Sequence, residues 1–551
     1  MILDNLKLLY YNIVNIEFYV RNSMSNNIKT VEVFDSTLRD GAQGESISFS
    51  VRDKLLIMKA LDGFGVDYIE AGNPGSNPKD AEFFKRAREV ALKNSKLVAF
   101  GATHRKNVKP EDDPAIASLL SACTDCVAVF GKSHLLHAEK VLGVTAEENL
   151  ELISSTVSYL KSKVGEVIFD AEHFFDGYMY SKDHAIASIT AAFDAGADCV
   201  TLCDTNGGTL PDRIFAVTDE VCKLFHDKRI GIHTHDDSGL AVANSLFAVN
   251  AGASMVQGTF IGNGERCGNC DLSVLIPTLT LKSGIRCGKN TPVKLETLMK
   301  TSRRISDISN VATRLTKPYT GKSAFAHKGG MHIDATEKLD GAYEHIDPAL
   351  VGNKRRLLLS EVSGRSTITE LAKLVIPGIE RTSPEAALIT EKLKELEYEG
   401  YQFEAADASF ELLIRKSVGN YKPHFNVILY KTTDDFPSSG GKLQASAMVQ
   451  VEVGGLSETA ASLGNGPVNA LDAALKRALT AFYPVLSDVK LTDFKVRVLE
   501  ANSTTAAKVR VLIESTDSRR VWTTVGVSND IIEASFIALA DALEYKLSLA
   551  D

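Results

Sequence analysis

The chain has no excess of positive charge: 61 Lys and Arg stand against 70 Asp and Glu, a formal net charge of -9. That excludes a general attraction to nucleic acid or anionic lipid, so an anionic ligand has to be held locally. No basic stripe with interleaved aromatics contradicts this. Cysteine is sparse, eight residues in 551, and no leader has the charged, apolar and small-residue segments of a signal peptide, which leads to the expectation of a reducing cytoplasm. Two C-x-x-C pairs, Cys123/Cys126 and Cys267/Cys270, have zinc-like spacing, but they lie far apart and Cys126 opens an apolar run, so they read as core or pocket thiols. Long hydrophobic runs are also missing. The apolar opening is broken by Asp4, Asn5, Lys7, Asn12, Asn15 and Glu17, too often for a membrane span. Met24 reads as an alternative start, which makes residues 1–29 an N-terminal extension. Neither GKS, at 131 or 321, has the upstream glycine of a P-loop, and no G-x-G-x-x-G follows the first strand. No redox cofactor is implied.

What is present is a globular composition, 44% hydrophobic and 24% charged, in a chain long enough for two to four domains. Eight short apolar runs alternate with helical patterns: VEVFDS at 31, VDYIEAG at 66, KLVAFGAT at 96, CVAVFGK at 126, EVIFDAEH at 166, CVTLCDT at 199, RIGIHTHDD at 229 and SMVQGTFIG at 254. Their polar residues gather at the C-terminal ends. This pattern predicts an α/β fold with a (β/α)8 TIM barrel over 30–290, whose rim carries the chemistry. A mainly helical connector with a polar, Gly-rich loop is expected over 291–405. Beyond it, strand-like runs (FELLIRKSV, FNVILYKT, ASAMVQVEV) precede a helix, and a second cycle of three strands and a helix follows. Residues 406–551 therefore read as an α+β domain of two repeats.

The sharpest local signal is His233-Thr234-His235. Alternate strand residues share a side, so two imidazoles can meet one ion, and Asp40, past the first strand, is the natural third ligand. One carboxylate and two neutral imidazoles leave positions open for a Lewis acid, Mn2+, Mg2+ or Zn2+. Arg39 can face the oxygen on which charge develops. In the loop at the end of the eighth run, Gly262 and Gly264 permit close backbone approach and Glu265 and Arg266 can order the turn; Asn269 offers an amide oxygen near the metal.

DSTLRDG, IHTHDD, GNGERCGN and GGMHIDA together resemble the acyl-transferring synthases of the isopropylmalate, homocitrate and citramalate group, metal-dependent lyase-like barrels, over residues 30 to 551. FDAEHFFDGY, LCDTNGGTLP, SAFAHKGGMH and YEHIDPALVGNKRR look most like the citramalate branch. The resemblance implies condensation of acetyl-CoA with pyruvate, with 2-isopropylmalate or homocitrate synthesis as the alternative. It implies Asp40, His233 and His235 as metal ligands with Asn269 beside them, Arg39 at the developing alkoxide, Glu172 beside the substrate, and Gly262, Gly264, Glu265 and Arg266 at the acetyl-CoA surface. It further implies that His332, backed by Asp334, assists deprotonation of the acetyl methyl group, with Tyr343 a looser match. The His332 loop would come from the neighbouring subunit of a homodimer. His173 and His327 read as supporting or structural. The turn Gly464-Asn465-Gly466-Pro467-Val468-Asn469-Ala470 matches the family's regulatory signature, which implies that 406–551 is a regulatory dimerisation domain with isoleucine as effector. Its glycines and helix-starting proline leave backbone N–H groups to receive a carboxylate. Two other classes compete, a bond-cleaving lyase of the same barrel type and an amino-acid sensor using only the C-terminal module.

Overall fold

A computed structural model describes residues 29–549 apart from 329–331, 333–334, 337, 340, 359–364, 374, 377, 381, 419–420, 436–443, 500–506 and 518–519. Two expectations, the N-terminal extension with its alternative start and the role of Asp334, lie outside the described residues. Two compact units divide the chain: residues up to Phe325 with Glu344–Arg355, and Ala326–Tyr343 with Arg356–Asp551.

The first unit is a closed eight-stranded parallel barrel. Its strands are β1 (Thr30–Asp35), β2 (Tyr68–Glu70), β3 (Lys96–Ala102), β4 (Cys126–Lys132), β5 (Glu166–Glu172), β6 (Cys199–Asp204), β7 (Arg229–Thr234) and β8 (Met255–Gly258), with a short β9 (Arg286–Cys287) beside β1. All eight apolar runs become strands, and β1 closes the circle by pairing with both β2 and β8. Strands buried on both faces need continuous apolar runs, which is why they were legible. Inside, Phe34, Tyr68, Val98, Ala128, Ile168 and Met255 pack with Cys126 and Cys199. Outside, strands and helices share a second, larger core. Helices Val51–Phe64 and Ala146–Lys161 each open with a capping box, Ser50 with Asp53 and Thr145 with Glu148. At the N-terminal mouth Arg229 pairs with Glu32 and, at 2.8 Å, with Glu166, which also takes Tyr68 Oη at 2.9 Å and Lys96 Nζ at 2.7 Å. This charge layer plugs the barrel end opposite the rim. Among the described residues no helix is long and apolar enough to cross a membrane.

In the second unit, helices Arg365–Lys373, Pro384–Glu399 and Asp407–Ser417 contribute to one core. Two antiparallel sheets follow: β12 (Asn426–Asp435), β13 (Gln444–Val453) and β14 (Leu456–Gly464), then β15 (Lys490–Val498), β16 (Val509–Thr516) and β17 (Val521–Ser528). Short β10 (Ala326–His327) and β11 (Arg356–Leu357) pair with each other. Helices Pro467–Thr480 and Ile531–Ser548 complete the two repeats over a shared core. One element differs from expectation: FELLIRKSV is helical, within Asp407–Ser417. Phe410, Leu413 and Ile414 follow helical spacing and Glu411 pairs with Arg415 one turn on at 2.7 Å, but Leu412 is buried too, so the pattern loses its polar face. The third strand of the first repeat is instead β14, whose mostly exposed residues show no apolar alternation.

Candidate active site

Two strand ends converge at the C-terminal rim. Asp40 follows β1, His233 lies near the end of β7 and His235 just past it, and the alternation turns His233 and His235 to one side. Their ligand atoms lie within 4.8 Å of one another and all three residues are buried, an arrangement that could hold a metal ion. Asp40 Oδ2 is 3.5 Å from His233 Nε2 and 3.9 Å from His235 Nε2. Burial pushes both imidazole pKa values down, strongly so for His233, which keeps the rings neutral and their lone pairs available. Burial works against the Asp40 carboxylate, but Arg39 and then the two imidazoles more than offset it, leaving its pKa below the ordinary value. The fit to a divalent cation is supported by a further donor: Asn269 Oδ1 is buried without a hydrogen-bond partner among the described residues, and Asn269 bridges to His235 through the backbone. A carboxylate, two neutral imidazoles and an amide oxygen suit a divalent ion of intermediate hardness.

Arg39 is locked from both sides. Its Nε donates to Glu70 Oε2 at 2.7 Å and a terminal nitrogen stands 3.2 Å from Asp40 Oδ2, while the guanidinium lies 3.8 Å over the Phe100 ring. Burial opposes its charge, but Glu70 and Asp40 outweigh that and keep it a cation. Ser36 Oγ in turn bonds Glu70. Arg39, Phe100 and Phe130, which stacks on Phe100 at 5.5 Å, line a cavity of about 480 Å³.

Behind the imidazoles is a network that the sequence did not assign. His233 Nδ1 is 3.1 Å from Gln257 Oε1, and Gln257 Nε2 donates to Asp170 Oδ1 at 2.9 Å and to Thr201 Oγ1 at 3.0 Å. Burial, then the charge of Glu70, raises the Asp170 pKa to about 7. The available signal was parity: Asp170 shares a strand face with Glu172, and Gln257 pairs in register with His233.

The other expected residues fall in distinct places. Glu172 ends β5 and is engaged by Lys132, which ends β4. His173 adopts a left-handed conformation, and its N–H donates to Thr205 Oγ1 at 2.9 Å. In the loop after β8, Gly264 approaches Asn269 so closely that a Cβ would meet its Nδ2 at 2.1 Å. Arg266 is bound to Asp237 at 2.8 and 2.9 Å and to the Thr205 carbonyl, so it orders the turn, with Glu265 at 3.8 Å. Gly262, Gly264 and Arg266 line a cavity of about 450 Å³ with Arg314 and Lys317. His332 and Tyr343 belong to the second unit, where their rings stack at 4.0 Å. His327 is buried in β10. Gly464 closes β14, Gly466 is the N-cap of helix Pro467–Thr480, Val468 packs against the core, Ala470 is buried, and Asn469 Oδ1 accepts from the Asn465 N–H at 3.1 Å. Of the paired cysteines, Cys126 and Cys270 are buried while Cys123 and Cys267 are exposed.

The HMGL-like family model matches residues 30–305, the homocitrate synthase post-HMGL domain-like model 319–400, and the LeuA allosteric (dimerisation) domain model 404–547. The chain is 50% identical to a protein named (R)-citramalate synthase from Aquifex aeolicus, over 94% of this chain and 98% of that one. It is 48% identical to one of the same name from Geobacter sulfurreducens, over 94% and 97%. Identity to a probable 2-isopropylmalate synthase from Methanopyrus kandleri is 33%, over 92% and 96%.

Proposed function

The chain belongs to the HMGL-like family, in its (R)-citramalate synthase group, and on that premise we propose that it condenses acetyl-CoA with pyruvate and water to give (R)-citramalate and CoA. The observation that carries the reading is a buried Asp40, His233 and His235 trio beside a fixed Arg39, in a chain colinear with those synthases. Asp40, His233 and His235, with the Asn269 amide oxygen, would hold a divalent metal, whose Lewis acidity polarises the keto-acid carbonyl.

The remaining roles fall to the chain's own residues. Glu172 stands at the rim to take a methyl proton from the acetyl group, with His332 and Asp334 the competing base. Arg39, pinned by Glu70, meets the negative charge that forms on the keto oxygen as the carbon–carbon bond closes. The loop from Gly262 to Arg266 contributes a wall for acetyl-CoA. The matched dimerisation domain supports a homodimer in which the His332 loop serves the neighbouring site. It also supports regulation at the Gly464–Ala470 turn, with isoleucine as effector and isoleucine biosynthesis as the setting. Synthesis on a larger keto acid is the second reading, favoured only by the more distant isopropylmalate synthase likeness.

Thiol release from acetyl-CoA, followed with pyruvate, 2-ketobutyrate, 2-ketoisovalerate and 2-ketoglutarate in the presence of Mn2+ or Mg2+, tests this. Pyruvate should support the fastest release, and His233→Ala should abolish it. Preference for 2-ketoisovalerate or 2-ketoglutarate would replace the substrate assignment, and no release with any keto acid would overturn the reading.

A further inference from the structure

The GKS at the end of β4 is no phosphate loop, but its lysine occupies the rim. Lys132 pairs in register with Glu172 of β5, and the two side chains form a direct ion pair. On the neighbouring strands the register continues from Cys203 to His233 and from His233 to Gln257. Glu172 shares the inward face of Asp170, which reaches Gln257, so Lys132 and Glu172 stand on the metal-ligand side of the barrel mouth. Cys203 is buried on β6, between the strands of Glu172 and His233, and burial first, then the charges of Asp170 and Glu172, push its thiol pKa up. Lys132 and Glu172 side chains are only 14% and 23% exposed, shielded from bulk water yet open at the mouth. The lysine is held in place: Asn149 Nδ2 donates to its carbonyl at 2.8 Å and its ammonium lies 5.8 Å over the Phe130 ring. Burial first lowers the His137 pKa, and His137 also feels the charges of Lys132 and Glu172.

We propose that Lys132 is a catalytic residue that stabilises the enolate of the acetyl thioester by exchanging its salt-bridge partner during proton transfer. The inference rests on the reading of Glu172 as the base in the condensation proposed above. When a Glu172 oxygen takes a methyl proton, the C–H bond breaks, an O–H bond forms, and the electron pair left on carbon delocalises onto the thioester oxygen. The negative charge thus leaves the carboxylate and appears on the substrate, beside the same ammonium. Lys132 keeps all its protons and shifts a hydrogen bond from the carboxylate to the enolate oxygen. After the enolate carbon attacks the keto carbon, the charge moves to the new alkoxide, which takes the proton from Glu172 and becomes the hydroxyl. Lys132 then pairs again with the carboxylate. A charge already desolvated and fixed is worth more at such an oxygen than a solvated one.

Thiol release and the kinetic isotope effect with trideuterated acetyl-CoA test the proposal in the full-length protein. Lys132→Met should lower kcat about 100-fold while pyruvate KM and Mn2+ affinity stay within about threefold, and the isotope effect should rise as enolisation becomes limiting. Lys132→Arg, which keeps the cation and spares the fold, should recover at least about a tenth of the wild-type kcat. Lys132→Met with wild-type kcat, loss confined to KM or Mn2+ binding, or Lys132→Arg no better than Lys132→Met would overturn the role. Failure of the underlying reading looks different, because the wild-type protein would then release no thiol with pyruvate.

Discussion

Two imidazoles that look equivalent in H-x-H are held differently. His233 Nδ1 has Gln257, itself fixed by Asp170 and Thr201, whereas His235 Nδ1 is buried with no partner among the described residues. Hydrogen bonding at one ring nitrogen sets the tautomer that leaves the other free as a ligand. Gln257→Leu should therefore weaken divalent-metal affinity about 10- to 100-fold by direct titration, and unchanged affinity would dismiss the network. Asp170 gives a pH signature. Its folded pKa of about 7 lies above the ordinary 3.8, so the folded state binds the extra proton and stability is lost as pH rises through that window. Asp170→Asn keeps an acceptor for Gln257 and should raise the Tm of the metal-free protein at pH 8 but hardly at pH 4, with a ceiling of about 4 kcal/mol. An equal shift at both pH values would contradict the cause assigned here. At this scale the meeting of His233 and His235 on one side was legible because alternation on a strand is a strict rule, and Asp40 joins them from the end of the first strand. Gln257 and Asp170 were not, because a polar residue within an apolar strand acquires meaning only when the barrel brings its neighbours across.

Among the elements, the two repeat helices differ at their starts. Helix Ile531–Ser548 is capped by Asp530, which accepts from the N–H groups of Ile532 and Glu533. Helix Pro467–Thr480 has no side-chain cap, and Asn469 turns its oxygen back to Asn465. The start at Ile531 thus has its N–H groups taken by Asp530, while the start at Pro467 leaves donors for a carboxylate. Under the isoleucine feedback proposed above, Gly466→Asp should fill that place and abolish inhibition without changing uninhibited kcat, and retained inhibition would move the effector elsewhere. Asp530→Ala should cost only about 1 kcal/mol of stability and leave inhibition intact. The eight barrel strands were readable because burial on both faces demands unbroken apolar runs. FELLIRKSV was not, because its helix is buried on several sides: Asp407 and Ser409 accept from the Thr523 and Val525 N–H groups along the edge of β17. A helix so enclosed carries the composition of a strand.

For the whole molecule, the proposed division of labour between subunits makes a prediction independent of any single site. His233→Ala and His332→Ala each impair a different half of a shared active site, so co-expressed and co-purified they should regain activity, about a quarter of the wild-type level by statistical pairing. No recovery in mixed dimers would confine His332 to its own subunit. The order barrel, connector and regulatory module was readable from the alternation of patterns along the chain. What joins them in an active assembly was not, because a subunit interface leaves no periodicity in a single sequence. The most direct test of the account is to strip the purified protein with a chelator, restore Mn2+ or Mg2+, and follow acetyl-CoA and pyruvate to their products by chiral chromatography and thiol release. Formation of (R)-citramalate with one CoA per turnover, absent without the metal and absent in His233→Ala, is the expected result. Metal-independent thiol release, or release with a product other than citramalate, would contradict it.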